Sequence, residues 1–489
     1  MGANKFLFGK GDNQVFLLPA MANRHGLVAG ATGTGKTISL KVLAEAFSDM
    51  GVPVFLADVK GDLSGLCEEG EEKEKLNERA RIIGITSLDY KKYPVTFWDV
   101  YGEKGIPIRT TLSEMGPLLL SRLLNLNETQ EGVLSIVFKA ADEKGMLLLD
   151  LMDLRAMLKY VGENADEFTL HYGNVSSQSI GAIQRALLLI EDQGADKFFS
   201  EPALDINDFF QLSADNRGMI NILAADRLFN SPLLYSTFLL WMLSELYENL
   251  PEVGDLEKPK FVFFFDEAHL LFKDANSYLL TKIEQVVRLV RSKGVGIYFI
   301  TQNPSDIPDT VLGQLGNKIQ HALRAFTPKD QKAVKSAAES FRANDSFDTY
   351  EAITSLAVGE ALVSFLDEEG RPSVVEKAFV RPPNSYMGII PDMVLYKNIE
   401  ASSFHKKYKD EIDRISAYEL LTQKLEASTK NSDNDVKQKA FIEKATHPKT
   451  KPARTTDSAF EKMAKSAMTS AGREIGRAVM RGLLGSLRK

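Results

Sequence analysis

Cysteine is almost absent from this sequence of 489 residues, in which Cys67 is the single thiol. One cysteine can neither form an intrachain disulfide nor build a zinc site from thiolates. The six histidines lie far apart and show no metal-ligand spacing. The sequence therefore excludes a disulfide scaffold and a Cys/His zinc site, and it is typical of a reducing compartment.

Long hydrophobic runs are missing too. The most apolar stretch, Leu233–Leu243, is too short to cross a bilayer and is soon followed by Glu245. The first residues, MGANKFLFGKGDN, lack the apolar core of a signal peptide, and Phe6 stands where a myristoylation signal needs Ser or Thr. The sequence therefore predicts a soluble, cytoplasmic protein.

Positive charge is not in excess. Lys and Arg number 59 against 66 Asp and Glu, so the net charge is −7, and the chain as a whole does not predict binding to nucleic acid or anionic lipid. Residues 437–489 differ, because they hold 13 Lys and Arg against 4 Asp and Glu. Hydrophobic residues at 44% and charged residues at 26% are ordinary for a globular protein.

Short runs rich in β-branched and aromatic residues alternate with longer helical patterns, which is typical of an α/β protein with a mainly parallel sheet. The clearest predicted strands are His25–Ala29, Val52–Val59, Lys260–Phe265, Gly294–Thr301, Ile319–Phe326 and Glu360–Asp367. The interval between the second and third of these strands is far longer than a loop. Its pattern is mostly helical, as in Met115–Leu126 and Gln178–Gly194, and therefore predicts an inserted subdomain.

The end of the chain changes in character. From about Ala427 the sequence is polar, rich in lysine and poor in large apolar residues, which predicts a flexible linker. The final segment repeats apolar residues every four positions on one face and arginines on the other, at Ile475, Val479, Leu483 and Leu487 and at Arg473, Arg477 and Arg481. This basic amphipathic helix can bind a membrane surface, nucleic acid or a partner groove, or it can dock on its own protein, and the pattern leaves these alternatives open.

A glycine-rich segment follows the first of these strands directly and opens a helical pattern. It has the form G-x-x-x-x-G-K-[ST] and consists of Gly30, Ala31, Thr32, Gly33, Thr34, Gly35, Lys36 and Thr37. Glycines let successive main-chain N–H groups turn inward around phosphate, and the start of the following helix favours anions. We predict an ATP-binding loop in which Lys36 contacts the β and γ phosphates and the Thr37 hydroxyl binds Mg²⁺.

Acidic and amide side chains follow two of the other predicted strands. Asp266 and Glu267 come directly after an apolar run, at the edge where the carboxyl ends of parallel strands meet. We predict that Asp266 holds Mg²⁺ through water and that Glu267 is the general base. Gln302, at the end of the next strand, is the predicted γ-phosphate sensor, and His269 is expected to be a packed or hydrogen-bonded residue.

Two arginines are candidates for the cation that stabilises charge on the leaving phosphates. Arg291 ends a helical pattern just before the strand of Gln302, and Arg324 lies at the end of another core strand. Each can equally form a surface ion pair, and an arginine that acts from a neighbouring subunit would require an oligomer. Two interpretations of Asp58, after the second strand, also stay open: it orders the site and the waters of the metal, or it stabilises a turn.

These segments together resemble the HerA-like ATPases of the HerA/FtsK superfamily, and within it the bacterial YjgR-type family. The resemblance runs from about Phe8 to Arg381 and is carried by ANRHGLVAGATGTGKT, ADVKGDLSGL, FFFDEAHLLF, RLVRSKGVGIYFITQNP and QHALRAFTPKDQKAVK. It implies a RecA-like core in which one extra strand separates the strand of the phosphate loop from the strand of the acidic pair. It also implies a hexameric ring with ATP between subunits, with Gln302 as sensor and Arg291 in the trans-arginine region.

The resemblance and the composition together predict four parts of the chain. These are a RecA-like ATPase core at residues 1–69 and 256–400, a mostly helical inserted subdomain at 70–255, a helix and polar linker at 401–470, and the basic helix at 471–489.

The function expected from these features is that of a ring-forming motor that hydrolyses ATP with Mg²⁺ and acts on double-stranded DNA. The basic tail and the local series Lys329, Lys332 and Lys335 favour DNA, whereas the acidic body counts against it. Two alternatives stay open. One is a nucleotide-dependent scaffold that binds protein partners or a membrane surface through the C-terminal helix, and the other is a secretion-type ATPase like the coupling proteins of the TraG type.

Overall fold

The computed structural model describes residues 5–273, 275 and 277–424. The chain forms two compact units. Within the described residues, the first takes in the chain from Lys5 to Ile108 and the segment Leu204–Lys409, and the second takes in Arg109–Ala203 and the chain from Asp410 to Lys424. The predicted linker after Ala427 and the basic helix at 471–489 lie outside the described residues.

The first unit is built on a twelve-stranded sheet. Its strands are β1 (Phe6–Lys10), β2 (Gln14–Leu17), β3 (Gly26–Ala29), β4 (Val54–Asp58), β5 (Val95–Asp99), β6 (Ile106–Pro107), β7 (Ile220–Ala224), β8 (Phe261–Phe265), β9 (Val295–Thr301), β10 (Asn317–Gln320), β11 (Glu360–Ser364) and β12 (Glu376–Val380).

The α-helices of the described residues, in chain order, are α1 (Lys36–Asp49), α2 (Glu74–Ile83), α3 (Leu112–Leu123), α4 (Glu128–Lys144), α5 (Leu151–Glu163), α6 (Ala165–Tyr172), α7 (Ser177–Glu191), α8 (Ala195–Phe198), α9 (Pro232–Asn249), α10 (His269–Phe272), α11 (Ser277–Val290), α12 (Asp309–Leu312), α13 (Pro328–Glu339), α14 (Thr349–Ser355), α15 (Asp392–Ala401) and α16 (Ser403–Tyr408).

The sheet has the order β2-β1-β12-β11-β10-β3-β9-β8-β4-β7-β5-β6. All neighbours from β10 to β6 are parallel, and the remaining pairs, from β2 to β10, are antiparallel. The carboxyl ends of the parallel strands therefore meet at one edge. Strand β9 lies between β3 and β8, which confirms the extra strand that the resemblance implies.

Helices cover both faces of this sheet, and the side chains of β8 show how. Successive residues of a strand point to opposite faces. Phe264 packs against Phe47 of α1, with ring centres 6.2 Å apart. Phe263 stacks on Phe55 of β4 at 4.8 Å, and Phe55 in turn meets Phe238 of α9 at 6.5 Å. Because both faces are covered, β8 and β9 are buried along their whole length and lack polar alternation.

The second unit is helical within the described residues. Helix α4 packs against α3, α5 and α7. The side chains of Asn127 and Asp150 accept hydrogen bonds from main-chain N–H groups at the starts of α4 and α5, so each helix begins at a capping residue. The buried carboxylate of Asp153 accepts hydrogen bonds from the Ser416 hydroxyl and the Tyr418 N–H, which fastens the returning chain to α5.

The two units follow boundaries that differ from those predicted. Residues 70–108 and 204–255 belong to the first unit, where β5, β6 and β7 extend the sheet beyond β4. The inserted helical part is therefore 109–203 rather than 70–255. Strands β5 and β7 each contain a polar residue, Thr96 and Asn221, that interrupts the continuous apolar run by which β4 and β8 were predicted.

The ends of the sheet also differ from the prediction. Strand β10 stops at Gln320 instead of continuing to Phe326, and the predicted set did not contain β1, β2 and β12. These three strands form the antiparallel side together with β11. Within the described residues, no helix combines the length and apolar character that a membrane span requires.

Candidate functional site

The glycine-rich loop joins β3 to α1 and curls over its own lysine. Gly30, Gly33 and Gly35 have φ values of 153°, 78° and 116°, which lie in the region that favours glycine. A Cβ on Gly30 would also lie 2.6 Å from Cβ of His321. The Lys36 ammonium donates to the carbonyl oxygens of Gly30 at 2.5 Å and Ala31 at 3.0 Å. The loop therefore has the glycine conformations and the helix start that a phosphate cradle requires.

The parallel register places the predicted sensor beside this loop. Ala29 pairs with Thr301, so Gly30 and Gln302 leave the sheet side by side. The Thr32 hydroxyl donates to Oε1 of Gln302 at 3.3 Å.

The acidic pair completes the same edge. Asp266 and Glu267 follow β8, and Nε2 of Gln302 donates to Oε1 of Glu267 at 2.9 Å. Glu267 has φ 47°, a left-handed conformation that is uncommon outside glycine and that the surrounding structure must hold. One hydrogen-bonded chain thus links the loop, through Gln302, to Glu267.

The pKa values of the two carboxyl groups are shifted in opposite directions by burial and by neighbouring groups. Burial, and then the charge of Glu267, raises the pKa of Asp266 to about 7. Burial alone would raise the pKa of Glu267, but hydrogen bonds from His269 and Gln302 outweigh it and hold that pKa below its ordinary value. The contact between His269 Nδ1 and Glu267 Oε2 is 3.3 Å.

Lys36 lies in the field of this pair. Burial lowers the pKa of its ammonium, and the charges of Glu267 and Asp266 act in the opposite direction. Thr37 lies next to it in the first turn of α1. The structure therefore brings together the loop, Asp266, Glu267 and Gln302, as the sequence predicted.

The two candidate arginines lie apart. Arg291 follows α11 and precedes β9, so it is at the amino edge of the sheet, opposite the loop; its guanidinium is 3.6 Å from Asp255. Arg24 is 4.0 Å from the same carboxylate. Arg324 is exposed and follows β10, at the same edge of the sheet as the loop. It lies two residues after Ala322, whose carbonyl accepts a hydrogen bond from the Ala31 N–H at 2.8 Å.

Asp58 has a structural role in its own loop. Its carboxylate accepts main-chain hydrogen bonds from Gly61 at 2.7 Å and Leu63 at 2.9 Å, with a longer one from Lys60 at 3.3 Å. Burial is the main cause that raises its pKa to about 6. Of the two interpretations left open by the sequence, these contacts favour the turn.

Comparison with known proteins gives the family. The family model for the HerA-like C-terminal domain of helicases matches residues 4–489. The chain belongs to the HerA-like family. Among curated relatives, the DNA double-strand break repair helicase HerA of Sulfurisphaera tokodaii is 24% identical over 367 residues, 72% of this chain and 64% of the relative. A probable helicase of Methanocaldococcus jannaschii is 30% identical over 176 residues, 32% of each chain.

Two solved structures share the fold of this HerA-like chain. The plasmid coupling protein TrwB, in complex with the non-hydrolysable GTP analogue GDPNP, has a TM-score of 0.52 at 15% identity and covers 80% of this chain and 92% of its own. VirB4 of Thermoanaerobacter pseudethanolicus has a TM-score of 0.50 at 16% identity and covers 77% and 97%. The predicted class, a RecA-like α/β fold with a mainly parallel sheet, is confirmed. The alignment covers 64% of the Sulfurisphaera tokodaii helicase and 32% of the Methanocaldococcus jannaschii protein. The chain therefore spans at most about two thirds of the length of these curated relatives.

Two supporting residues of this HerA-like chain escaped the sequence analysis. The Tyr235 hydroxyl, on α9, donates to the carbonyl of Asp266 at 3.0 Å. The buried ring of His321 lies behind the loop: Nδ1 is 2.9 Å from the carbonyl of Glu360, and Nε2 is 2.8 Å from Oγ of Ser39. A carbonyl only accepts, so Nδ1 carries the proton and Nε2 accepts from Ser39. No local motif marks either residue, because their partners are distant in sequence.

Proposed function

We propose that this HerA-like chain hydrolyses ATP with Mg²⁺. The observation that carries the proposal is the hydrogen-bonded chain from Thr32 in the loop through Gln302 to Glu267, with Asp266 and Lys36 beside it. A phosphate cradle, a cation and an ionised carboxylate on one sheet edge are the parts that phosphoryl transfer to water requires. TrwB, which shares the fold, was solved with a nucleotide analogue, and this supports nucleotide binding.

Each residue then has a role at a stated atom. The N–H groups of the loop and the Lys36 ammonium bind the phosphates and favour the charge that develops on them. Glu267 is oriented by the hydrogen bond from Gln302, and in this proposal its carboxylate orients a water and accepts a proton from it. Gln302 contacts both the loop and Glu267, and is therefore able to couple the state of the γ-phosphate to the base.

The residues present fit Mg²⁺. This ion prefers oxygen ligands and is commonly held by one or two carboxylates together with substrate phosphates, rather than by a cage of protein ligands. Asp266 supplies a carboxylate and Thr37 a hydroxyl near the loop, and the described residues contain no larger cluster of His, Cys, Asp and Glu that could hold a metal ion. When bound, the ion neutralises phosphate charge. Asp266 and Thr37 would hold it.

We further propose that the substrate acted upon is double-stranded DNA and that the active form is a ring, a hexamer by resemblance. Curated relatives carry the name DNA repair helicase, which supports DNA. Arg291 lies on the edge opposite the loop of its own chain, and this supports the proposal that it acts at the loop of a neighbouring subunit. Arg324, which lies at the same edge of the sheet as the loop, is the second candidate for the arginine that stabilises the leaving phosphates.

The test is the ATP hydrolysis rate with and without duplex DNA over a range of salt concentrations. We expect DNA to raise the rate at low salt, and this increase to disappear by roughly 200 mM salt because contacts to phosphate release counterions. A Glu267→Gln variant is the control for contaminating hydrolysis. If wild-type protein hydrolyses ATP at one rate at every salt and DNA concentration, the DNA role is wrong while the ATPase stands.

A second candidate substrate is a protein partner or a membrane surface. The net charge of −7 favours a protein partner, since a body of this sign repels DNA and anionic lipid alike outside the basic tail; binding to a membrane surface would therefore depend on that tail. In this case the chain would be a nucleotide-dependent scaffold or a secretion-type ATPase. Removing residues 472–489 should then abolish association with liposomes or partner protein while the ATPase rate without DNA is kept.

A further inference from the structure

The reactive groups lie on one side of the phosphate loop. Gln302 and Glu267 follow β9 and β8, whereas β10 and β11 lie on the other side of β3. We therefore expect a nucleotide whose γ-phosphate faces Glu267 to extend its nucleoside toward the end of β10 and the start of β11. The residues that contact the loop there have no part in the hydrolytic chemistry described above.

Gly359 forms the wall of the loop on this side. Its N–H donates to the carbonyl of Thr34 at 3.3 Å, and its carbonyl accepts from Nη1 of Arg79 at 2.8 Å. The packing is close, because a Cβ on Gly35 would lie 3.3 Å from the Gly359 nitrogen and a Cβ on Gly359 would lie 2.6 Å from Nη1 of Arg79. Gly359 also has φ 79°, so the position favours glycine for conformation as well as for space.

Arg79 is a half-buried cation held in a fixed orientation. It lies on α2, and its Cζ is over the ring of Phe379, 4.8 Å from the ring centre. The carbonyl of Gly359 fixes it in a second direction. Next to Gly359, the side chain of Val358 is 69% exposed. A planar cation and an exposed aliphatic side chain, both beside the loop, are surfaces on which a flat aromatic base packs well.

We propose that Arg79, Gly359 and Val358 form the nucleoside subsite of the ATP site, with the base packed against the guanidinium group and the Val358 side chain. This inference rests on the proposed function, because it takes the loop to be a triphosphate site. It assigns base recognition to α2 and to the chain before β11, which are distant from the loop in sequence. Lys36, Glu267 and Gln302 act on the phosphates and carry no information about the base.

The test compares a ligand that has a base with one that lacks it. Dissociation constants of ADP and of inorganic pyrophosphate, each with Mg²⁺, are measured by calorimetry on the full chain. For Arg79→Ala we expect ADP to bind roughly tenfold or more weakly, as loss of base stacking implies, with pyrophosphate unchanged. Arg81→Ala, an exposed arginine on the same helix, is the matched control and should bind both ligands like wild type.

A second variant guards against disruption of the fold. Val358→Ser changes an exposed side chain, and it should weaken ADP by about threefold or more, as loss of apolar contact implies, without affecting pyrophosphate. Equal weakening of ADP and pyrophosphate in Arg79→Ala would show that Arg79 only holds the loop, and unchanged affinities in both variants would also overturn the subsite. The proposed function itself fails if the wild type binds neither ADP nor pyrophosphate. It also fails if the Lys36→Ala variant binds both ligands as tightly as the wild type does.

Discussion

The side-chain amide of Gln302 bridges the loop and the acidic pair, because its Nε2 donates to Oε1 of Glu267 at 2.9 Å while its Oε1 accepts from the Thr32 hydroxyl at 3.3 Å. Both the nitrogen and the oxygen of the amide are therefore hydrogen-bonded, and these two bonds fix its orientation. One partner lies in the loop after β3 and the other follows β8. We therefore expect a change at the loop to alter the hydrogen bond that Gln302 donates to Glu267. The first two predictions depend on this relationship.

Glu267→Gln should retain nucleotide binding and lose turnover. The amide is isosteric with the carboxylate but cannot accept a proton from water, so we expect kcat to fall by roughly 10²-fold or more. ADP affinity, measured by calorimetry, should change little. A variant with the wild-type rate would reassign the base.

Gln302→Ala should reduce kcat by about tenfold to hundredfold, less than Glu267→Gln, because the base remains but loses one of the groups that orient it. Asn303→Ala is the matched control: that neighbouring amide accepts from the Ser305 N–H and caps the next turn instead. The kcat values of wild type, Gln302→Ala and Asn303→Ala, measured by steady-state kinetics, test this prediction. An equal loss in both alanine variants would show that the strand end, and not the bridge, is disturbed.

Lys36→Ala should strongly weaken nucleotide binding. The ammonium now contacts the carbonyls of Gly30 and Ala31, and without it the loop retains its N–H groups but loses the cation. We expect ADP affinity to fall by roughly 10²-fold, in line with removal of a charge-assisted contact. An unchanged thermal unfolding midpoint is the control for folding, and wild-type affinity would remove Lys36 from the site.

Arg291→Ala should lower the ATPase rate by about 10³-fold if this arginine serves a neighbouring subunit. Arg288→Ala, on α11 and exposed, is the matched control and should keep the rate. The decisive measurement is co-assembly of Arg291→Ala with Glu267→Gln. Neither is active alone, but mixed rings contain interfaces with one intact base and one intact arginine, so activity should return.

Activity that does not return in the mixed rings, together with a slow Arg291→Ala protein, would mean that Arg291 acts within its own chain. The same mixing experiment with Arg324→Ala separates the two candidate arginines.

Acid should destabilise the first unit through His321. Its ring is fully buried, and burial lowers its pKa from about 6.5 to about 4. The unfolded chain therefore binds the proton first, so the stability that the neutral ring supplies is present above about pH 6.5 and is lost as pH falls toward 4. Relative to His321→Gln, the wild type should lose on the order of 3 kcal/mol between pH 7 and pH 4.

Denaturant unfolding of both proteins at several pH values measures this difference. The buried His25, whose pKa burial also lowers to about 4, is present in both proteins, and its contribution cancels. Parallel stability curves for wild type and His321→Gln would show that the ring of His321 is not held neutral in the folded state.

Much of the site could be predicted from the sequence, because its parts are local patterns. The loop at residues 30–37, the acidic pair after an apolar strand and the amide after the next strand each have a signature within about ten residues. Parallel strands bring their carboxyl ends to one edge, so these three patterns had to converge once the strands were neighbours. The fold class followed from the same alternation of strands and helices.

Tertiary structure alone decided the rest. The contact of Arg79 with Gly359, the contact of His321 with Ser39, and the pairing of β5 and β7 with the sheet join residues far apart in the chain, and no short pattern encodes such partners. The sequence determined which chemistry we propose for this protein, because that depends on residue types at short spacing. Which side chains surround it depends on how the distant segments pack, and packing is a property of the whole fold.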